Sequence, residues 1–277
     1  MPIEIVRGRV PEPGEREFQE MMHYQGGQAE EDAASTPGPS DEPWENVVAL
    51  HEPMSRHAFD WIVTHPELGG AVHGKVLDMA AGSCWMTALA SRLAGVEGVW
   101  ALDLSERFLT ETGTRMIRRL EGCEEKIRFA VGDFNNMPFE DGYFDCAFLF
   151  AALHHSLAPV KLLREAIRCI RPGGSLLILE SPTSLVRIAR GRRKSLAMSA
   201  HAVTEIAWTV GEYRYMLDLA CLPSGGCPGA SYRLLPLPSP NPSPIKEAVK
   251  AALRLLGLED VLKPPTYIIQ VRPSEGG

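Results

Sequence analysis

The sequence predicts an α/β fold: a doubly wound, mostly parallel sheet of seven strands with helices on both faces. Two patterns carry that reading. Short apolar runs alternate with segments of helical period from residue 75 to residue 179, the order that builds parallel strands joined by right-handed crossovers. The runs are continuously apolar, as expected of strands covered by helices on both sides.

Taken in order, residues 1–43 read as an acidic, partly flexible arm or lid, closed by the linker-like Ser35-Thr36-Pro37-Gly38-Pro39-Ser40. Within it Phe18, Met21, Met22 and Tyr24 have helical spacing and stop at Gly26-Gly27. Residues 44–277 form the remaining domain, with a core at 70–181 and further elements at 182–277. A helix opens it, since Val47, Leu50, Met54, Ala58 and Trp61 recur at three- and four-residue steps. Strands are expected at 75–79, 99–102, 127–131, 144–150, 176–179, 232–235 and 266–271. Helices are expected at 85–94, 105–120, 159–170 and 209–220. In the helix at 159–170, Val160, Leu163, Ala166, Ile167 and Ile170 share one side, while Lys161, Arg164, Glu165 and Arg168 share the other, so it lies on a sheet. Alternating prolines at 236–244 give a stiff connector. Ser243-Pro244 then starts a helix that carries Ile245, Val249, Leu253 and Leu256 and stops at Gly257.

Composition narrows the possible functions. Of 277 residues, 45% are hydrophobic and 23% charged, the balance of a soluble chain able to bury a core. The net charge of −7 resides wholly in residues 1–44, and the neutral body argues against polyanion binding. Six cysteines stand without a CxxC pair or zinc-site spacing, so no metal site is expected and a reduced, cytoplasmic protein is. The N-terminus lacks a signal-peptide pattern, and the longest apolar run, 146–153, is too short to span a bilayer.

In open α/β sheets, ligands bind beyond the carboxyl ends of the strands, where the strand order reverses. Four successive strand ends here carry residues suited to that. After the first come Asp78-Met79-Ala80-Ala81-Gly82-Ser83-Cys84, whose small residues admit a ligand to the backbone. After the second sits Asp103, able to accept from both hydroxyls of a ribose. After the third come Gly132-Asp133-Phe134-Asn135, an acid, an aromatic and an amide that suit an adenine. The fourth leads to Ala151, Ala152, Leu153, His154 and His155, which bring titratable imidazoles to the same rim.

These segments resemble the class I S-adenosylmethionine-dependent methyltransferases. The run 76–82 is similar to their Gly-rich loop and 101–105 to their ribose-binding acid segment. Gly132-Asp133-Phe134 with Met137-Pro138-Phe139 and Phe144-Asp145-Cys146-Ala147 are similar to the third and fourth motifs. Leu163-Arg164-Glu165 through Arg171-Pro172-Gly173-Gly174 are similar to the helix and turn before the fifth strand. The resemblance covers residues 70–181. It implies a Rossmann-like methyltransferase fold with its last strand antiparallel, S-adenosylmethionine as cofactor, a cofactor-binding core at 70–181 and acceptor-side elements at 182–277. It further implies that Asp78, Ala80 and Gly82 line the methionine end, Asp103 binds the ribose and Leu104 packs on the adenine. Asp133 would take the adenine amino group, Phe134 would offer its backbone N–H, and Phe150 or Ala151 would flank the sulfonium. Where the family's commonest loop has three glycines, this chain has Ala80, Gly82 and Cys84. Cys84 is expected to keep φ below zero, because it carries a side chain.

Bland alternatives stand beside these roles. The lesser alternative for Asp103 is an N-cap for the helix at Ser105; for Phe134 the alternative is core packing, and for His154 and His155 packed or solvated side chains. If a base is needed, His154 and His155 are the candidates, with His57 a weaker one. The Arg187, Arg190, Arg192, Arg193 and Lys194 run would suit an acidic small-molecule acceptor or be a solvated loop. A looser resemblance around 201–220 makes Glu205 and Tyr213 acceptor contacts. The function expected is methyl transfer to a small molecule, with a non-catalytic methyltransferase-like binding protein as the alternative. A nicotinamide dehydrogenase would need GxGxxG after the first strand, where Asp78 stands. Nucleic-acid methylation would need an Asn/Asp-Pro-Pro-Tyr segment where Ala151-Ala152-Leu153-His154 stands. The sequence does not define an oligomeric state.

Overall fold

A computed structural model describes residues 3–8, 44–189, 206–223, 229–240, 243–261 and 264–274. Among them, eight strands form one sheet: β1 (Glu4–Arg7), β2 (Gly74–Met79), β3 (Val96–Asp103), β4 (Ile127–Val131), β5 (Phe144–Phe150), β6 (Ile170–Glu180), β7 (Ala230–Pro236) and β8 (Tyr267–Pro273). Their order is β1-β4-β3-β2-β5-β6-β8-β7. The first six run parallel, and β8 lies antiparallel between β6 and β7. The strand count of seven is thus corrected to eight. The added strand, β1, falls in the stretch expected to be arm. It has only four residues and two of them, Glu4 and Arg7, are charged, so local pattern does not mark it. Its partner does, because the edge of β4 supplies the pairing in register Glu4↔Arg128 to Arg7↔Val131. Ion pairs of Arg128 with Glu4 (3.3 Å) and of Arg7 with Glu106 (2.7 Å) flank it.

Seven α-helices among the described residues accompany the sheet. They are α1 (Trp44–Thr64), α2 (Trp85–Ser91), α3 (Thr114–Arg119), α4 (Pro159–Cys169), α5 (Leu185–Ala189), α6 (Val210–Cys221) and α7 (Pro244–Leu255). Alternating residues of each strand feed two cores. On one face Val76, Val99, Phe129 and Phe148 pack with Ala58 and Ile62 of α1, Ala88 of α2 and Met116 of α3. On the other, Leu77, Ala147, Ile178 and Ile269 pack with Leu163 and Ile167 of α4 and Leu217 of α6. Each large apolar side chain so buried contributes roughly 1.5–3 kcal/mol. Burial on both faces explains why these strands read as continuous apolar runs.

Helix ends follow their local chemistry. Thr209 caps α6 with a reciprocal pair: its hydroxyl accepts from the Glu212 N–H, and its own N–H donates to the Glu212 carboxylate at 2.8 Å. Pro159 and Pro244 open α4 and α7, where a missing N–H costs nothing. The expected helix at 105–120 is not uniform, since Phe108–Gly113 is π-helical before α3 begins. No helix among the described residues is long and apolar enough to cross a membrane.

The expected helical spacing at Phe18 to Tyr24, the basic residues Arg190 to Lys194, Glu205 and Cys227 lie outside the described residues.

Candidate functional site

Strand order reverses between β2 and β5, which leave the centre of the sheet with β3 on one side and β6 on the other. The four segments singled out by sequence therefore share one rim, around the switch point.

The loop after β2 is shaped by three αL residues in five positions: Ala80 (φ 53°), Gly82 (φ 49°) and Cys84 (φ 60°). The expectation of negative φ at Cys84 is wrong. Neighbouring packing over-determines the strained backbone, at a cost of order 1–3 kcal/mol. Cys84 is fully buried, and its Sγ lies where Gly113 of the π-helical turn has no side chain. A Cβ there would stand 2.6 Å from that sulfur. Gly82 in turn faces Phe108, whose ring would lie 3.3 Å from an added Cβ. The π-helical turn and the loop are thus fitted to each other.

Two carboxylates hold this loop. Asp78, buried at the end of β2, accepts from the backbone N–H of Thr87 (2.9 Å) and from its hydroxyl (2.6 Å). It binds the first turn of α2 instead of presenting both oxygens to the rim. Burial pushes its carboxyl up to about 7 against those two bonds, with Asp103 adding repulsion. Asp103, at the end of β3, reaches across to the loop: Oδ2 accepts from the Gly82 N–H at 2.9 Å and Oδ1 from the Ser105 N–H at 3.0 Å. Burial raises its pKa, opposed by those N–H donors and that of Leu104. The capping role that the sequence left open for Asp103 falls to Ser105, whose hydroxyl accepts from the Phe108 N–H at 3.0 Å, and the Gly82 contact links two strand ends.

Beyond β4, Asp133 is buried and its Oδ1 accepts from the Asn135 backbone N–H (2.7 Å) and side-chain amide (2.9 Å). Asn135 Oδ1 is itself buried without a partner among the described residues, an acceptor with nothing to accept from. Phe134 is half-buried against the core on the α4 face, and Leu104 is half-buried beside Asp103. Phe150 is half-buried against the other core and meets Phe148 edge-on at 5.3 Å. Ala151 follows it exposed, at φ 51°.

The next rim segment holds a cluster that the sequence only half disclosed. Glu180, the last residue of β6, is 2% exposed. Its Oε1 accepts from the Leu153 N–H (2.9 Å), and its Oε2 accepts from His154 Nδ1 (2.8 Å) and from the Tyr213 hydroxyl (2.9 Å). A carboxylate acceptor at Nδ1 places the imidazole proton there and leaves Nε2 as the nitrogen able to take another. His155 lies beside it, with ring centroids 4.1 Å apart. Tyr213, an acceptor contact by the looser resemblance, turns its hydroxyl to the Glu180 carboxylate. It is 1% exposed on α6, and burial together with Glu180 pushes its hydroxyl pKa well above the usual value. Glu180 was the residue missed. An acid closing the apolar run Leu176 to Leu179 was the available signal, since a buried carboxylate needs donors. His57 Nε2 contacts the Pro238 carbonyl at 2.7 Å, and Arg187 lies exposed on α5.

The fold is the Rossmann-like one of solved methyltransferase structures. Residues 77–178 match the family model described as a methyltransferase domain. A ubiquinone/menaquinone biosynthesis C-methyltransferase, UbiE, of Pseudomonas putida (strain GB-1) is 32% identical over 156 residues, which are 55% of this chain and 60% of that one. The chain thus covers about three-fifths of that relative's length. Among solved structures, the [4+2]-cyclase SpnF superposes with a TM-score of 0.59 at 16% identity, covering 86% of this chain and 94% of that one. The DhpI-SAM-HEP complex gives 0.56 at 15% identity, covering 84% and 92%. At such identities these two establish the fold, and a fold hosts many activities.

Proposed function

We propose that the chain transfers a methyl group from S-adenosylmethionine to a small-molecule acceptor. One observation carries the reading: Asp103 bridges two strand ends through Gly82 and Ser105, while Asn135 Oδ1 on the next strand end is buried and unsatisfied. A carboxylate for a sugar and an acceptor for an exocyclic amine, on successive strands, fit an adenosine. The matched methyltransferase domain model supports it, as do the methyltransferase relatives.

In this reading Asp103 accepts from the ribose hydroxyls, each carboxylate oxygen having a second lone pair to offer. Asp133 and Asn135 hold the adenine edge, with Leu104 and Phe134 against the ring. Ala80 and Gly82 admit the methionine end, and Asp78 keeps that loop in shape through Thr87. Phe150 and Ala151 flank the reacting centre. When bound, the cofactor supplies a methyl group on a sulfonium, and in-line displacement from it relies on alignment. The chain's part is to hold the acceptor in line and, where the acceptor must lose a proton, to take it at His154 Nε2. Glu180 fixes that tautomer and offsets the charge His154 then gains. His155 completes the same rim. The acceptor side is assigned to the elements at 182–277.

Binding measured by calorimetry tests the cofactor half. Asp103→Ala is expected to weaken S-adenosylmethionine by about 1.5–3 kcal/mol, the worth of hydrogen bonds to a charged group, with NADH giving no binding to either protein. An unchanged dissociation constant would overturn the assignment. Incubation with labelled S-adenosylmethionine and fractionated metabolites tests the transfer, and binding without label in any fraction would leave a binding protein instead.

A further inference from the structure

Away from the strand ends that hold the proposed cofactor site lies a pocket of about 560 Å³, well within the range that encloses a small molecule. Its walls come from four places: Met54 and His57 of α1, the proline connector after β7, α7, and the segment from Pro264 to Thr266 before β8. The walls are mostly apolar. α7 buries no residue, and its Ile245 and Val249 line the pocket while remaining 78% and 45% exposed, as does Met54 at 43%. Apolar side chains gathered around a cavity and left in water mark a binding surface. No acid lines it. The titratable lining groups are His57, Lys246 and Lys250. His57 is engaged with the Pro238 carbonyl, and Lys250 pairs with Glu247 at 2.8 Å. That leaves Lys246 as the one lining cation with no ion pair among the described residues.

We propose that this pocket binds an elongated apolar carboxylate, its body against Met54, Ile245 and Val249 and its single negative charge at Lys246. One ammonium without an ion pair among the described residues matches one negative charge, and a mostly apolar wall disfavours ligands with several. The pocket also adjoins the candidate catalytic rim. Thr266, on its wall, hydrogen-bonds through its hydroxyl to that of Ser181 at 2.9 Å, and Ser181 follows Glu180. The inference does not depend on methyl transfer.

The test uses the full chain with dodecanoate and dodecanol, both below their aggregation limits, and reads affinity by calorimetry. Dodecanoate is expected to bind at least tenfold more tightly than dodecanol. Lys246→Glu should remove that preference and leave dodecanol unchanged. Val249→Trp, which fills the cavity from an exposed position, should abolish both, with the circular dichroism and melting temperature of each variant matching the parent. Equal affinity of the parent for acid and alcohol would overturn the proposal, and so would a preference for the acid that survives Lys246→Glu or binding of either ligand that survives Val249→Trp.

Discussion

Asp78 illustrates how a single side chain sets a property of the whole site. Its carboxyl lies near 7 when folded because burial outweighs the two Thr87 bonds, whereas an unfolded aspartate titrates near 3.9. The folded state therefore holds the proton more tightly, so stability declines as pH rises from about 4 to about 7 and is level above that, by up to ~4 kcal/mol. Asp78→Asn should flatten that slope, which denaturant titrations at successive pH values would read. A variant with the parent's slope would contradict the assignment. In the proposed reaction Glu180 acts differently, through His154. If His154 is the base, His154→Ala and Glu180→Ala should each lower kcat by about 10²–10⁴-fold while leaving cofactor affinity within about twofold. Equal losses in cofactor binding would instead point to a collapsed rim.

At the scale of elements, the loop after β2 and the π-helical turn before α3 are one packing unit. Cys84 occupies αL space because Gly113 leaves room for its sulfur. Gly113→Ala should cost about 1–3 kcal/mol by overpacking. Adding Cys84→Ala should recover much of that loss, since the nearest remaining contact at that Cβ is 3.4 Å. A double-mutant cycle measured by denaturation would expose the coupling as non-additivity, and strict additivity would show that the two sites are independent. The sequence showed both residues without showing that they meet. Local rules put Cys84 at negative φ, and tertiary contact overrode them. The same holds for β1, whose four residues become a strand only because the edge of β4 is there to pair with.

At the scale of the molecule, the parallel core was legible because its strands are buried on both faces, which writes continuous apolar runs into the chain, and because each run is followed by a helix of fitting period. Asp103, Asp133 and His154 were legible for a related reason: strand ends in such sheets converge, so position along the chain translates into position on the rim. Glu180 was not, since what distinguishes it is three donors arriving from Leu153, His154 and Tyr213, residues up to 33 positions away. The sequence by itself determined the class of fold, the order of its central elements and the rim at which the strand ends gather, all of which follow from periodicity and strand ends. Only the tertiary structure decided the eighth strand, the αL geometry of the loop, the carboxylate behind His154 and the pocket beside α7. Those depend on which side chains face one another across the sheet, and no local pattern records that.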